Sequence, residues 1–234
     1  NLLFRVIFSS ACKSTHHKLA LDALRYLRAR QAPLWQNLFL KYYRHYLDGS
    51  KAPDTHFKDF RNHVLHVQDG YWGGARKTAR HWYGRTVEAL RSQDWSHAVY
   101  CAGVLSHYYT DPIQPFHTAQ STAENNIHRA AEWSIAKSYD EIREILIHQV
   151  GVPDLELPNG EDWLEAMVAR GADLSNEYYD VLIEHYNFAR GRRRPPEGFD
   201  PHAKEILARL IGHASVGFAR ILERTFEEAA VAPP

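Results

Sequence analysis

Sulfur is scarce in this chain of 234 residues, which has two cysteines, Cys12 and Cys101, and one methionine. Two cysteines cannot build a disulfide scaffold, so a small fold stapled by bridges is excluded. An excess of either charge is also lacking. Lys plus Arg and Asp plus Glu number 28 each, which leaves a net charge of zero. Proteins that grip nucleic-acid backbone are usually basic, so this balance argues against that class. It leaves room for an enzyme that holds one phosphodiester in a pocket. No apolar run approaches the ~18–20 residues of a membrane span. Repeats, low-complexity tracts and convincing period-two alternation are all missing, which removes solenoids and ordinary sheet proteins. With 44% hydrophobic and 24% charged residues, the chain has the means to bury one sizeable core.

What the chain does have is histidine, fifteen in all. Imidazole titrates near neutrality and is the commonest metal ligand, so the positions matter. The first residue is Asn1. The apolar stretch Leu2 to Phe8 is interrupted by Arg5 and is too short for a secretory core with its flanks. Ser9-Ser10-Ala11-Cys12 has the outline of a lipoprotein cleavage site, but an ordinary buried segment is the expectation. The compartment is left open.

Helical spacing dominates the chain. Helices are expected over 15–30, from Pro33 to Asp48-Gly49, over 75–91, from an Asp94 cap to Thr110, from Ser121 to Val150, over 162–190, and after Asp200-Pro201. Ser121 and Glu124 form an S-x-x-E capping box. Loops are expected at 50–55, around Pro112 and Pro115, and at 152–160, with 56–67 short-helical or irregular. The basic turn from Arg190 to Pro196 is read as solvated. The expected fold class is all-α, a single compact multi-helix domain over residues 1–234.

The informative stretch runs from His107 to Glu132. His107 and Asp111 are four apart and share a helix face, and His128 and Glu132 repeat that spacing on the next helix. His117 sits in the proline-bent joint between them. A single His–carboxylate pair is usually a surface contact worth a few tenths of a kcal/mol. Two such pairs around a third histidine are hard to explain that way. Imidazole with carboxylate and no thiolate suits zinc or a similar divalent ion. Closely spaced ions form a clamp for phosphoryl oxygens.

The pattern H-Y-x-x-D-x-x-Q-P-x-H followed by H-x-x-x-E resembles the core signature of the zinc-dependent phospholipase C family, shared in looser form with single-strand-specific zinc nucleases. The resemblance is specific over residues 103–133 and weaker over the first seventy. It implies an all-helical protein with two or three zinc ions. His107 and Asp111 match the family's H-x-x-x-D pair, whose aspartate bridges two ions. His117, His128 and Glu132 match the ligands of another zinc. Two further family ligands, a loop Asp and a His about a dozen residues on, fall on Asp54 and His66, with Asp59 and His63 as nearby competitors. A family His near the start of the first long helix falls on His16. Asp54 is also the candidate to orient or deprotonate the attacking water.

The sequence departs from the family in two places. The family's third zinc is chelated by an N-terminal Trp, where this chain has Asn1, with Cys12 as the nearest soft substitute. The residues that hold choline in the bacterial phospholipase fall on Phe4 and Thr55, so choline selectivity is not implied. Tyr71 and Trp72, after the glycines, are the candidate substrate wall. The implied activity is a phosphoric ester hydrolase that acts on a phospholipid or another small phosphoester. Transient contact with a membrane surface is expected, with no stable nucleic-acid partner and no membrane span. The alternatives are a zinc-dependent single-strand nuclease or nucleotidase, and a non-catalytic relative in which metal only stabilises the helices. Family members are mostly exported.

Overall fold

Short polar side chains start several of the helices, each by accepting an orphan backbone amide. The structure, a computed structural model, describes residues 2–234. Its first helix, α1, spans Leu2–Ser10. The Ser14 hydroxyl then accepts from the His17 amide and opens α2, Thr15–Ala23. Two helices, α3 (Ala32–Lys41) and α4 (Tyr43–Ala52), follow where one was expected, because the backbone breaks at Tyr42. After α5 (Ala75–Arg91), Asp94 accepts from His97 and opens α6, Trp95–Thr110. Ser121 accepts from Glu124 at the start of α7, Thr122–Ile145. The expected helix over 162–190 divides into α8 (Trp163–Asn176), α9 (Tyr179–Glu184) and α10 (Phe188–Arg193). Asn187 makes the last break by capping α10 through the Arg190 amide. Asp200, with Pro201 in the first turn, opens α11, Pro201–Ala229.

Among the described residues no β-strand forms, only two isolated bridges, and no helix is long and apolar enough to cross a membrane. The buried apolar side chains make one continuous cluster. At its centre lies α6, buried for most of its length. Two glycines set how closely α4 approaches it. A Cβ on Gly49 would lie 2.2 Å from the Tyr100 carbonyl oxygen, and one on Gly103 would lie 2.2 Å from that of Tyr46. The close crossing positions the backbone of Ser50 beside His107. On the other side, buried Asp22 of α2 accepts from Tyr139 Oη at 2.9 Å and from Arg25 Nε at 3.0 Å, which ties α2 to α7.

The loop expected over 50–55 is wound instead. Helix α4 runs on through a π-turn, Pro53–Phe57, which Lys58 ends in the left-handed region at φ 54°. Proline fits there because its fixed φ is already helical, at −55°, and its carbonyl accepts from the Lys58 amide at 2.8 Å. Single π-turns of this kind are frequent at functional sites, and this one carries Asp54.

Candidate metal centre

The centre is built around Asp111, the first residue after α6. Its buried carboxylate is met by four imidazoles. His63 Nδ1 lies 2.8 Å and His107 Nε2 3.0 Å from Oδ2, His117 Nδ1 lies 3.6 Å from the same oxygen, and His16 Nε2 lies 3.3 Å from Oδ1. Burial pushes the Asp111 carboxyl up, but the rings of His107, His117 and His16 outweigh it and hold the group well below the usual carboxylate range. Three donor groups form around this point. They are His16 with Asp54 and His107, His63 with His107 and Asp111, and His117 with His128 and Glu132, the donor atoms of each lying within 4.8 Å of one another.

The outer nitrogens of three of these rings are already committed. His107 Nδ1 donates to the Ser50 carbonyl at 2.8 Å. His63 Nε2 donates to Asp59 Oδ1 at 3.2 Å, and the same carboxylate accepts from Tyr108 Oη. His128 Nδ1 donates to the buried carboxylate of Glu124. With the outer nitrogens held in this way, His63 and His107 each turn the other ring nitrogen inward. Those two nitrogens are 3.1 Å apart, and both face Asp111 Oδ2. Two lone pairs and a carboxylate oxygen repel one another unless a cation or a proton lies between them. This arrangement, with the outer nitrogen held by a hydrogen bond and the inner one facing the centre, is how proteins orient metal-ligating histidines. The donors are all nitrogen and oxygen, which suits zinc. A further sign is His16 Nδ1, which is buried with no hydrogen-bond partner. Burial, with His107 stacked 3.8 Å away, pushes the His16 imidazole down to about 3, so the ring is neutral.

At the second carboxylate, burial opposes ionisation, but hydrogen bonds from His117 and His128 hold the Glu132 carboxyl far below its ordinary value. The two rings move the other way. Burial lowers His117, but Asp111 and Glu132 raise it to about 9. Burial also lowers His128, but Glu124 and Glu132 raise it to about 10. Protons therefore balance the anionic oxygens wherever no cation does.

Of the residues singled out in the sequence, His16, Asp54, His107, Asp111, His117, His128 and Glu132 come together. His66 does not join them, and His63 holds the neighbouring position. Leu65 and Val67 donate their amides to the carbonyls of His117 and Thr118, while the His66 amide turns the other way, to the Trp72 carbonyl at 2.7 Å. The His66 ring lies against Trp72 and Asp69. The 3₁₀ turn Phe60–Asn62 delivers His63 to Asp111 instead. Tyr71 and Trp72 also stand apart. Tyr71 donates to Asp173 at 2.7 Å, and Trp72 lies under the Arg61 guanidinium. Cys12 is buried outside all three groups, and burial pushes its thiol up to about 12. Asn1 lies outside the described residues.

A cavity of about 590 Å³ opens over Asp54, Asp111, His117 and Glu132. Phe60 and Trp133, 66% and 51% exposed, stand at its wall, with Lys13, Lys51 and Arg129 around it. Lys51 donates to Asp54 Oδ2. Sequence reasoning missed Glu124 and Phe60. The i, i+4 spacing of Glu124 and His128 was a usable signal for the first, whereas nothing local marked the second.

No curated protein matches the sequence. Among solved structures, the chain is similar to an alpha toxin from Clostridium absonum, with 15% identity and a TM-score of 0.64. The match covers 94% of this chain and 66% of that one. It is also similar to the alpha-toxin of an avian strain of Clostridium perfringens, at 13% identity and a TM-score of 0.65, covering 93% and 64%. The chain thus spans about two thirds of the length of these proteins, and at such identity the likeness is one of fold. The family model described as zinc dependent phospholipase C matches residues 15–181, well over half of the chain. The chain belongs to the zinc-dependent phospholipase C family.

Proposed function

We propose that this chain is a phosphoester hydrolase that works with two or three zinc ions and acts on a phospholipid or a related phosphoester. The observation that carries the reading is the pair of inward ring nitrogens, His63 Nδ1 and His107 Nε2, 3.1 Å apart over Asp111 Oδ2. A divalent cation at that point would satisfy both nitrogens and the carboxylate oxygen at once. Structural zinc sites are usually closed and rich in cysteine, whereas this donor set is all nitrogen and oxygen and lies under an open cavity.

The ligands in this reading are His16, Asp54, His63, His107, Asp111, His117, His128 and Glu132. Zinc, when bound, polarises the phosphoryl group and lowers the pKa of water towards ~7. The chain's own residues do the rest. Lys13 and Arg129 attract and orient the phosphate from the rim of the cavity. Asp54, fixed by Lys51 on one oxygen, accepts a proton from the attacking water through the other. Ser50, Asp59 and Glu124 hold the imidazoles in the tautomers that binding needs. Exposed Phe60 and Trp133 support brief contact with a lipid surface, since aromatic side chains favour the membrane interface. Phe4 is buried under Arg25, and Thr55 donates to the Lys51 carbonyl, so neither supports selection of choline.

Elemental analysis of protein purified without chelator, run beside hydrolysis of bis(p-nitrophenyl) phosphate, tests the proposal. Two or three zinc ions per chain, with turnover abolished in Asp111→Asn, is the expected result. Less than one zinc, with helical content unchanged by chelation, would overturn it. Bound zinc without turnover would assign the ions to stability alone.

A further inference from the structure

The cavity changes character within one helical turn. On α2, His16 belongs to the metal-facing set, and Leu19, three residues on, lines the same cavity. On α7, Glu132 is followed three residues later by Ile135, again along the wall. One turn advances about 5.4 Å, so on each helix a donor group and an aliphatic group line the cavity within one turn of each other. The far wall is α11, which packs against α2 and α7. It presents Leu207, Leu210, Ile211 and Ala214, spaced i, i+3, i+4 and i+7 along a single face. These side chains are buried from bulk solvent yet border open space. An apolar arm of this kind stays dry and is available to a hydrocarbon.

We infer that this arm receives one acyl or alkyl chain of the substrate, so that the site prefers single-chain phosphoesters of the lysolipid class to diacyl lipids. The headgroup end of this inference rests on the phosphohydrolase reading above, while the arm does not. The size of the cavity fits a head and one chain. At about 30 Å³ per water-sized group, 590 Å³ holds roughly twenty such groups. A glycerophosphate head takes about half of them, and the remainder accommodates one chain.

Binding of n-alkyl phosphonates of increasing length, measured by calorimetry below their micellar concentration, tests this. Each added methylene is expected to tighten binding about fourfold while it enters the arm. The gain stops once the cavity is full, by about sixteen carbons, since a phosphonate head takes only about four of the roughly twenty groups. Ala214→Trp fills the arm and flattens the series. Ile211→Ala lengthens it and moves the plateau to longer chains, and circular dichroism checks that both variants fold. A flat series in the unaltered protein would overturn the inference, as would a gain that neither variant changes. Each titration is run with zinc and after chelation. Loss of any zinc effect on the head, with the methylene gain intact, would count against the hydrolase reading alone. A zinc-dependent head with no methylene gain would count against the arm alone.

Discussion

His107 donates its Nδ1 proton to the Ser50 carbonyl at 2.8 Å, a bond between two helices that meet only because glycines stand at their crossing. The central pair α4 and α6 is therefore joined to the orientation of a candidate zinc ligand. A Cβ placed on Gly103 would lie 2.2 Å from the Tyr46 carbonyl oxygen and force the helices apart. Gly103→Ala is expected to cost about 1–3 kcal/mol of stability. By shifting the Ser50 carbonyl it should also weaken zinc binding about tenfold. Thermal unfolding and competition with a chromogenic chelator read the two effects.

His63 and His66 make a second test. His63→Ala is expected to lose a zinc equivalent and nearly all phosphodiester turnover. His66→Ala should keep its zinc and most of its activity, since its ring packs on Trp72. Elemental analysis of the two variants side by side separates them.

Much of this was legible in the chain, for local reasons. Asp94, Ser121 and Asp200 are caps whose effect reaches only a few residues, and the helices they open begin where the sequence predicts. The i, i+4 pairs His107–Asp111 and His128–Glu132 needed only helical geometry. Choosing between His63 and His66 was harder, because it depends on backbone bonds from Leu65 and Val67 to a segment some fifty residues away. The break at Tyr42 and the π-turn under Asp54 also depend on packing. Gly49 reads locally as a helix end, yet it lies inside α4 against Tyr100. The apolar arm was out of reach, since Leu207 and Ala214 meet Leu19 only in the folded protein.

Glu124 touches the centre only through His128. Glu124→Gln should leave the fold and the Ser121 cap intact. It should weaken zinc binding at the His117, His128 and Glu132 group by about 10–100-fold. A zinc titration that loses one tight equivalent, with activity restored by added zinc, is the expected signature.

His117 and His128 are raised to about 9 and about 10, so in the metal-free protein both are charged at pH 7.5. Zinc takes the lone pair that each proton occupies, so binding should release protons, and calorimetric enthalpies should vary with the ionisation enthalpy of the buffer. The sign for stability follows from the same shifts. A histidine raised above its unfolded value of about 6.5 stabilises the fold fully below that pH and loses the contribution as pH climbs through 9 to 10. The metal-free protein should therefore melt at lower temperature at pH 10 than at pH 7, and the zinc-loaded protein should show less of that decline.

The two thiols lie outside all three donor groups, and burial pushes Cys12 up to about 12 and Cys101 up to about 11. Peroxide attacks thiolates, and these thiols stay protonated at neutral pH. Imidazole and carboxylate donors offer it no such target. Oxidants should thus leave this centre intact where a sulfur-ligated zinc site would eject its metal, and acid, by protonating the donors, is the insult that should empty it.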